Sequence, residues 1–95
     1  MNVFSFYLSL QPAYYNLGVV YSEMMQYDMA LTFYEKAASE RPMYAEAYCN
    51  MGVIYKNRGD LEAAITCYER YTIYLGLALL LTSQVMLAVF LFVFV

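Results

Sequence analysis

Apolar and polar positions alternate with a helical period through most of this chain. Tyr14, Leu17, Gly18 and Tyr21 fall at i, i+3, i+4 and i+7, one face of a helix over about 12–24. Ala30, Tyr34 and Ala37 make a second stripe, on a helix over about 28–40. Tyr48, Met51, Gly52 and Tyr55 repeat the first stripe and predict a helix over about 45–58. A fourth helix is expected from Leu61 onward. The punctuation agrees. Pro42 lacks an N–H and stops the second helix, Gly59 marks a turn, and Asp60 is a good N-cap for the fourth. Gly18 costs about 1 kcal/mol of helix propensity. That cost is tolerable if the missing side chain lets the second helix come close. Two small residues flanking Tyr34 suit a tight antiparallel crossing.

The pattern repeats internally. Residues 11–36 read QPAYYNLGVVYSEMMQYDMALTFYEK and residues 45–70 read AEAYCNMGVIYKNRGDLEAAITCYER. At an offset of 34, 10 of these 26 pairs are identical, including Asn16/Asn50, Gly18/Gly52 and Tyr34/Tyr68. That period is the tetratricopeptide repeat. The expected fold is all-α: two helix–turn–helix repeats forming a short right-handed solenoid, followed by a C-terminal apolar helix. The division is an apolar extension over 1–10, one repeat over 11–44, an incomplete second over 45–70, and an apolar segment over 71–95. A stripe of tyrosines at this spacing is read as core packing rather than as a stacking platform for a cofactor or nucleic acid.

Composition sharpens the split. Of the 95 residues 63% are hydrophobic, yet all five basic and all eight acidic residues lie between Glu23 and Arg70. The net charge of −3 carries no basic patch, which excludes a nucleic-acid footprint. The chain has no His, the usual general base and a common metal ligand. No metal and no cofactor are expected. Cys49 and Cys67 are read as small buried hydrophobes rather than as a disulfide or metal pair. The first ten residues lack the basic start of a signal peptide.

Over residues 12–70, and in wording such as NMGVIYKNRGDLEAAITCYER, the chain resembles the tetratricopeptide region of the SPINDLY family, plant protein O-glycosyltransferases. The resemblance implies a nucleocytoplasmic relative with about ten repeats followed by a catalytic domain. That domain would use GDP-fucose or UDP-GlcNAc to modify regulatory proteins of gibberellin signalling. Nothing in these 95 residues offers a nucleotide-binding domain or a phosphate-cradling loop, so no catalysis is expected of them. The resemblance further implies that the first helix of each repeat lines a groove where an asparagine ladder binds extended peptides of regulatory proteins, or other tetratricopeptide chains. Asn16 and Asn50 are the ladder positions, with Tyr15, Val19 and Glu23, then Cys49, Val53, Lys56 and Asn57, beside them. An amide can pair with a peptide backbone regardless of sequence. The competing reading is that both asparagines satisfy local backbone groups between repeats.

The register fails after Arg70. Tyr71 stands where a small crossing residue is due, Gly76 where the proline is due, and Ala78-Leu79-Leu80 where the next repeat should open. Two readings follow for 71–95. As a transmembrane anchor the run exceeds the ~18 apolar residues that mark a candidate span, and Lys56, Arg58 and Arg70 would keep the repeats cytoplasmic. This is a tail-anchored adaptor. Alternatively the run is translated intron joined after CYER. Two repeats also fall short of the three that usually give a stable solenoid, so 12–70 alone are expected to be marginal.

Overall fold

The computed structural model describes residues 3–94, with side-chain detail from Ala13 to Phe94; Met1, Asn2, Val95 and the side chains of 3–12 lie outside the described residues. Four helices follow one another: α1 (Val3–Glu23), α2 (Tyr27–Glu40), α3 (Ala45–Asn57) and α4 (Leu61–Phe94). Short turns join them, so neighbours run antiparallel, and the main packing is α1 on α2, α2 on α3 and α3 on α4.

Three of the four expected starts hold to within a residue. The exception is α1, expected near Pro12 but helical from Val3. Its cause is local: no glycine or turn sequence separates VFSFYLSL from the repeat, and Pro12 withholds one donor without ending the helix. The C-cap of α2, Arg41, is extended at φ −132° and ψ 90°, the conformation that a following proline imposes. Gly59 sits at φ +83°, and the Asp60 carboxylate accepts the Ala63 N–H at 3.3 Å.

The two helix pairs close by one device. An added Cβ on Gly18 would lie 2.5 Å from the Tyr34 ring, and one on Gly52 would lie 2.8 Å from the Tyr68 ring. Each glycine thus gives an aromatic ring room against a neighbouring backbone. Ala30, Tyr34 and Ala37 are buried together as the stripe requires. Met51, Ile54 and Ala47 of α3 pack into the same core, and Tyr14, Tyr21, Tyr48 and Tyr55 pack around it half-buried. Leu17, expected on the same face as Gly18, is instead exposed. Its α3 counterpart Met51 packs into the core with Ala30, Leu31 and Tyr34 of α2, whereas among the described residues no helix covers Leu17. An Arg58–Asp28 ion pair at 2.7 Å links α2 to the end of α3. It is largely solvated and contributes under about 1 kcal/mol.

Past Arg70, α4 runs on without a break, and every residue from Leu75 to Phe94 is exposed. Antiparallel packing puts the start of α1 and the free half of α4 at the same end of the solenoid.

Candidate peptide groove

Because the helices alternate, α1 and α3 wall one concavity and α2 and α4 wall another. The first is about 200 Å³. Val19, Ser22 and Glu23 of α1 face Asn50, Val53 and Ile54 of α3, with Tyr34 of α2 between them. Asn50 organises it. Its Nδ2 donates to the Tyr15 hydroxyl at 3.1 Å and to the Tyr34 hydroxyl at 3.2 Å. The Tyr15 ring stacks on Tyr44 at 5.3 Å and tilts against Tyr34 at 5.7 Å. Burial pushes the Tyr34 hydroxyl above its ordinary pKa, and the Asn50 hydrogen bond only partly offsets this. The phenol therefore stays neutral and can hold its place in the network.

Of the groove positions expected from sequence, Val19, Glu23, Asn50 and Val53 line this concavity, and Tyr15 joins it through Asn50. Asn16, Lys56 and Asn57 are exposed and outside the lining, and Cys49 is a half-buried free thiol. The partners of Asn50 are side-chain hydroxyls, not the backbone groups that the competing reading named. One donor bridging two helices is a junction between repeats, and Asn16 sits at the position where a preceding repeat would supply the equivalent tyrosines. Tyr34, Ser22 and Ile54 line the concavity without having been expected there. Helical spacing could have found two of them: Ser22 lies three residues after Val19, and Ile54 four after Asn50.

The second concavity is larger, about 460 Å³. Tyr48, Met51 and Tyr55 of α3 form its floor, Glu35 and Ser39 of α2 one rim, and Ala63, Thr66, Cys67 and Arg70 of α4 the other. Burial pushes the Cys67 thiol up, against the pull of Arg70, so it stays protonated and poorly nucleophilic. Among the described residues no group of three His, Cys, Asp or Glu could hold a metal.

The tetratricopeptide-repeat family model matches residues 12–44 and 45–71. The chain belongs to the tetratricopeptide-repeat family. Such repeats are protein–protein interaction units. The chain is 88% identical over 32 residues to the probable UDP-N-acetylglucosamine–peptide N-acetylglucosaminyltransferase SPINDLY of Oryza sativa subsp. japonica, over 34% of this chain and 4% of that protein. It is 85% identical over 32 residues to the SPINDLY of Hordeum vulgare, over 34% of this chain and 3% of that protein. The chain thus spans a small part of these curated relatives, and the match is consistent with a fragment of a SPINDLY repeat region. Among solved structures, a crystal structure of MamA superposes with a TM-score of 0.67 at 32% identity, over 68% of this chain and 38% of that one.

Proposed function

We propose that residues 12–70 are a target-recognition module of a SPINDLY-like protein glycosyltransferase, acting in gibberellin signalling and carrying no catalysis of their own. The observation that supports this reading is the Asn50 junction. Its two N–H groups are engaged by Tyr15 and Tyr34, which fixes the amide plane at the centre of the α1/α3 concavity. The amide oxygen then serves as a preset acceptor for a peptide N–H. Val19 and Val53 supply apolar contact, and Glu23 supplies charge at one end. The occupant is an extended segment of a regulatory protein, read mainly through its backbone.

Fluorescence anisotropy with fluorescein-labelled Ser/Thr-rich peptides tests this on the full chain. Replacing both asparagines, Asn16→Ala with Asn50→Ala, should weaken binding about 10-fold, the worth of a hydrogen bond or two, with helicity unchanged. Asn50→Ala alone should carry most of the loss. Unchanged affinity would sink the proposal.

A second reading is favoured by α4. From Tyr71 to Phe94 it is uncharged and helical, and from Leu75 onward it is exposed throughout. At 1.5 Å per residue this stretch reaches about 36 Å, beyond the ~30 Å hydrocarbon core. Among its polar side chains, the Thr82 hydroxyl donates to the Ala78 carbonyl at 2.8 Å, so it demands nothing of lipid. Under this reading the repeats sit on the cytoplasmic face as a tail-anchored adaptor. Release of the tagged chain from membranes by carbonate washing would refute it.

A further inference from the structure

The two repeats differ at one place in a way that points to a ligand. In the first, the Phe33 ring stacks on Tyr21 at 5.3 Å and on Tyr14 at 6.2 Å. The Lys36 ammonium lies 5.4 Å from the Phe33 centroid and 5.7 Å from that of Tyr14. An offset of 34 carries Tyr14, Tyr21, Phe33 and Lys36 onto Tyr48, Tyr55, Cys67 and Arg70. Both tyrosines survive. So does the cation: the Arg70 guanidinium lies 5.6 Å from the Tyr48 centroid. The central ring is replaced by a much smaller thiol, and Tyr48 tilts instead against Tyr74 at 5.4 Å, a residue outside the cavity lining. The 460 Å³ cavity lies at that place, and Tyr48, Tyr55, Cys67 and Arg70 all line it.

We infer that this cavity takes the aromatic ring of a phenylalanine or tyrosine side chain presented by a partner polypeptide. The first repeat shows the filled arrangement, with an aromatic ring flanked by two tyrosines and a cation beside it. Such pairs prefer stacked or edge-on rings 4.5–7 Å apart, which gives an aromatic occupant an advantage over an aliphatic one. The mouth argues for a polypeptide rather than a free hydrocarbon. Glu35, Ser39 and Thr66 at the rim are exposed polar groups that match peptide N–H and C=O. The site is walled by α2 and α4, away from Asn50, so it stands independently of the groove reading.

The test uses the full chain in dodecyl maltoside micelles, followed by NMR of the Tyr48 and Tyr55 rings. The probes are the pentapeptide Ac-Gly-Ser-Phe-Ser-Gly-NH₂, the same peptide with Leu for Phe, and toluene. The Phe peptide should give saturable shifts about 5-fold tighter than the Leu peptide, the margin of an aromatic pair. Cys67→Phe fills the cavity from within, as Phe33 does in the first repeat, and should abolish those shifts. Ala63→Leu, at the rim, should block entry even if Cys67→Phe does not fold. Arg70→Gln should weaken binding about 3-fold, as loss of an exposed cation–π contact does. Equal binding of the Phe and Leu peptides, or binding retained in a folded blocked variant, overturns the inference. So does toluene binding where the Phe peptide does not.

Discussion

Leu17 and Met51 occupy the same place in two copies of one repeat, yet Leu17 is 40% exposed and Met51 4%. Val20 and Ile54 differ in the same direction, at 49% and 4%. On the second helices the order reverses: Leu31 is 8% exposed and Ile65 57%. Side-chain chemistry is nearly matched within each pair, so it is not the cause. Among the described residues no helix packs on the outer face of α1 or on the outer face of α4. Burial here is a property of the junction between repeats, as expected of a quasi-one-dimensional solenoid.

The strongest test of that contrast is truncation. Met51→Ala should cost about 2–5 kcal/mol, the range for a buried methionine, whereas Leu17→Ala should stay within about 0.5 kcal/mol. Urea unfolding of the full chain in mild detergent, followed by circular dichroism, measures both; equal losses would mean that the junction does not govern burial.

Next are the glycines. The Tyr34 ring against Gly18 is buried and its hydroxyl is held by Asn50, so it cannot retreat. The Tyr68 ring against Gly52 lies at the open end, where it can swing outward. Gly18→Ala should therefore lose about 1–3 kcal/mol through overpacking. For Gly52→Ala the helix propensity gained, about 1 kcal/mol, should bring the change close to zero. The same unfolding curves decide it, and a larger loss at Gly52 would contradict the geometry.

The turns give a smaller contrast. Gly59 at φ +83° has Met25 as its counterpart, held at φ +60°. A side chain there costs roughly 1–2 kcal/mol. Met25→Gly should raise stability by about 0.5–1 kcal/mol once the entropy of glycine is deducted, and Gly59→Ala should lower it by about 1 kcal/mol. Opposite shifts in thermal midpoint are the expected outcome.

At neutral pH the last effect is nil. Burial raises the pKa of Tyr34, Tyr44 and Tyr55 above the ordinary value near 10. Between the unfolded and folded values the folded state holds more protons, so stability falls as pH rises. The contribution is complete below about pH 10 and is lost through each folded value. Phenylalanine in place of Tyr34 should flatten part of that alkaline loss in a pH series of unfolding midpoints.

Much of this molecule is legible in its residues alone. Gly18 with Tyr34, and Gly52 with Tyr68, are readable because close helix approach needs a glycine beneath a ring. Asp60 is readable because capping is local. The start of α1 is not, because Pro12 suggests a boundary, but the apolar stretch before it carries no turn sequence. In the site, Val19, Glu23, Asn50 and Val53 are expected through the family resemblance, which assigns the groove to the first helix of each repeat, and not from their residues alone. Tyr34 cannot be found that way, since it reaches the concavity from the other helix of its pair. The cavity beside Cys67 is illegible too, because a small residue in a core stripe says nothing about whether its neighbours close over it.

The sequence by itself determined the four helices, the 34-residue period and the abrupt end of charge at Arg70, because these rest on local spacing and composition. Only the tertiary structure decided which copy of each apolar position is covered and that Asn50 spends its amide on two tyrosines. It alone decided that a cavity lies beside Cys67. Each of those depends on what a neighbouring helix brings within a few ångströms, and that distance is set across the junction, not along the chain.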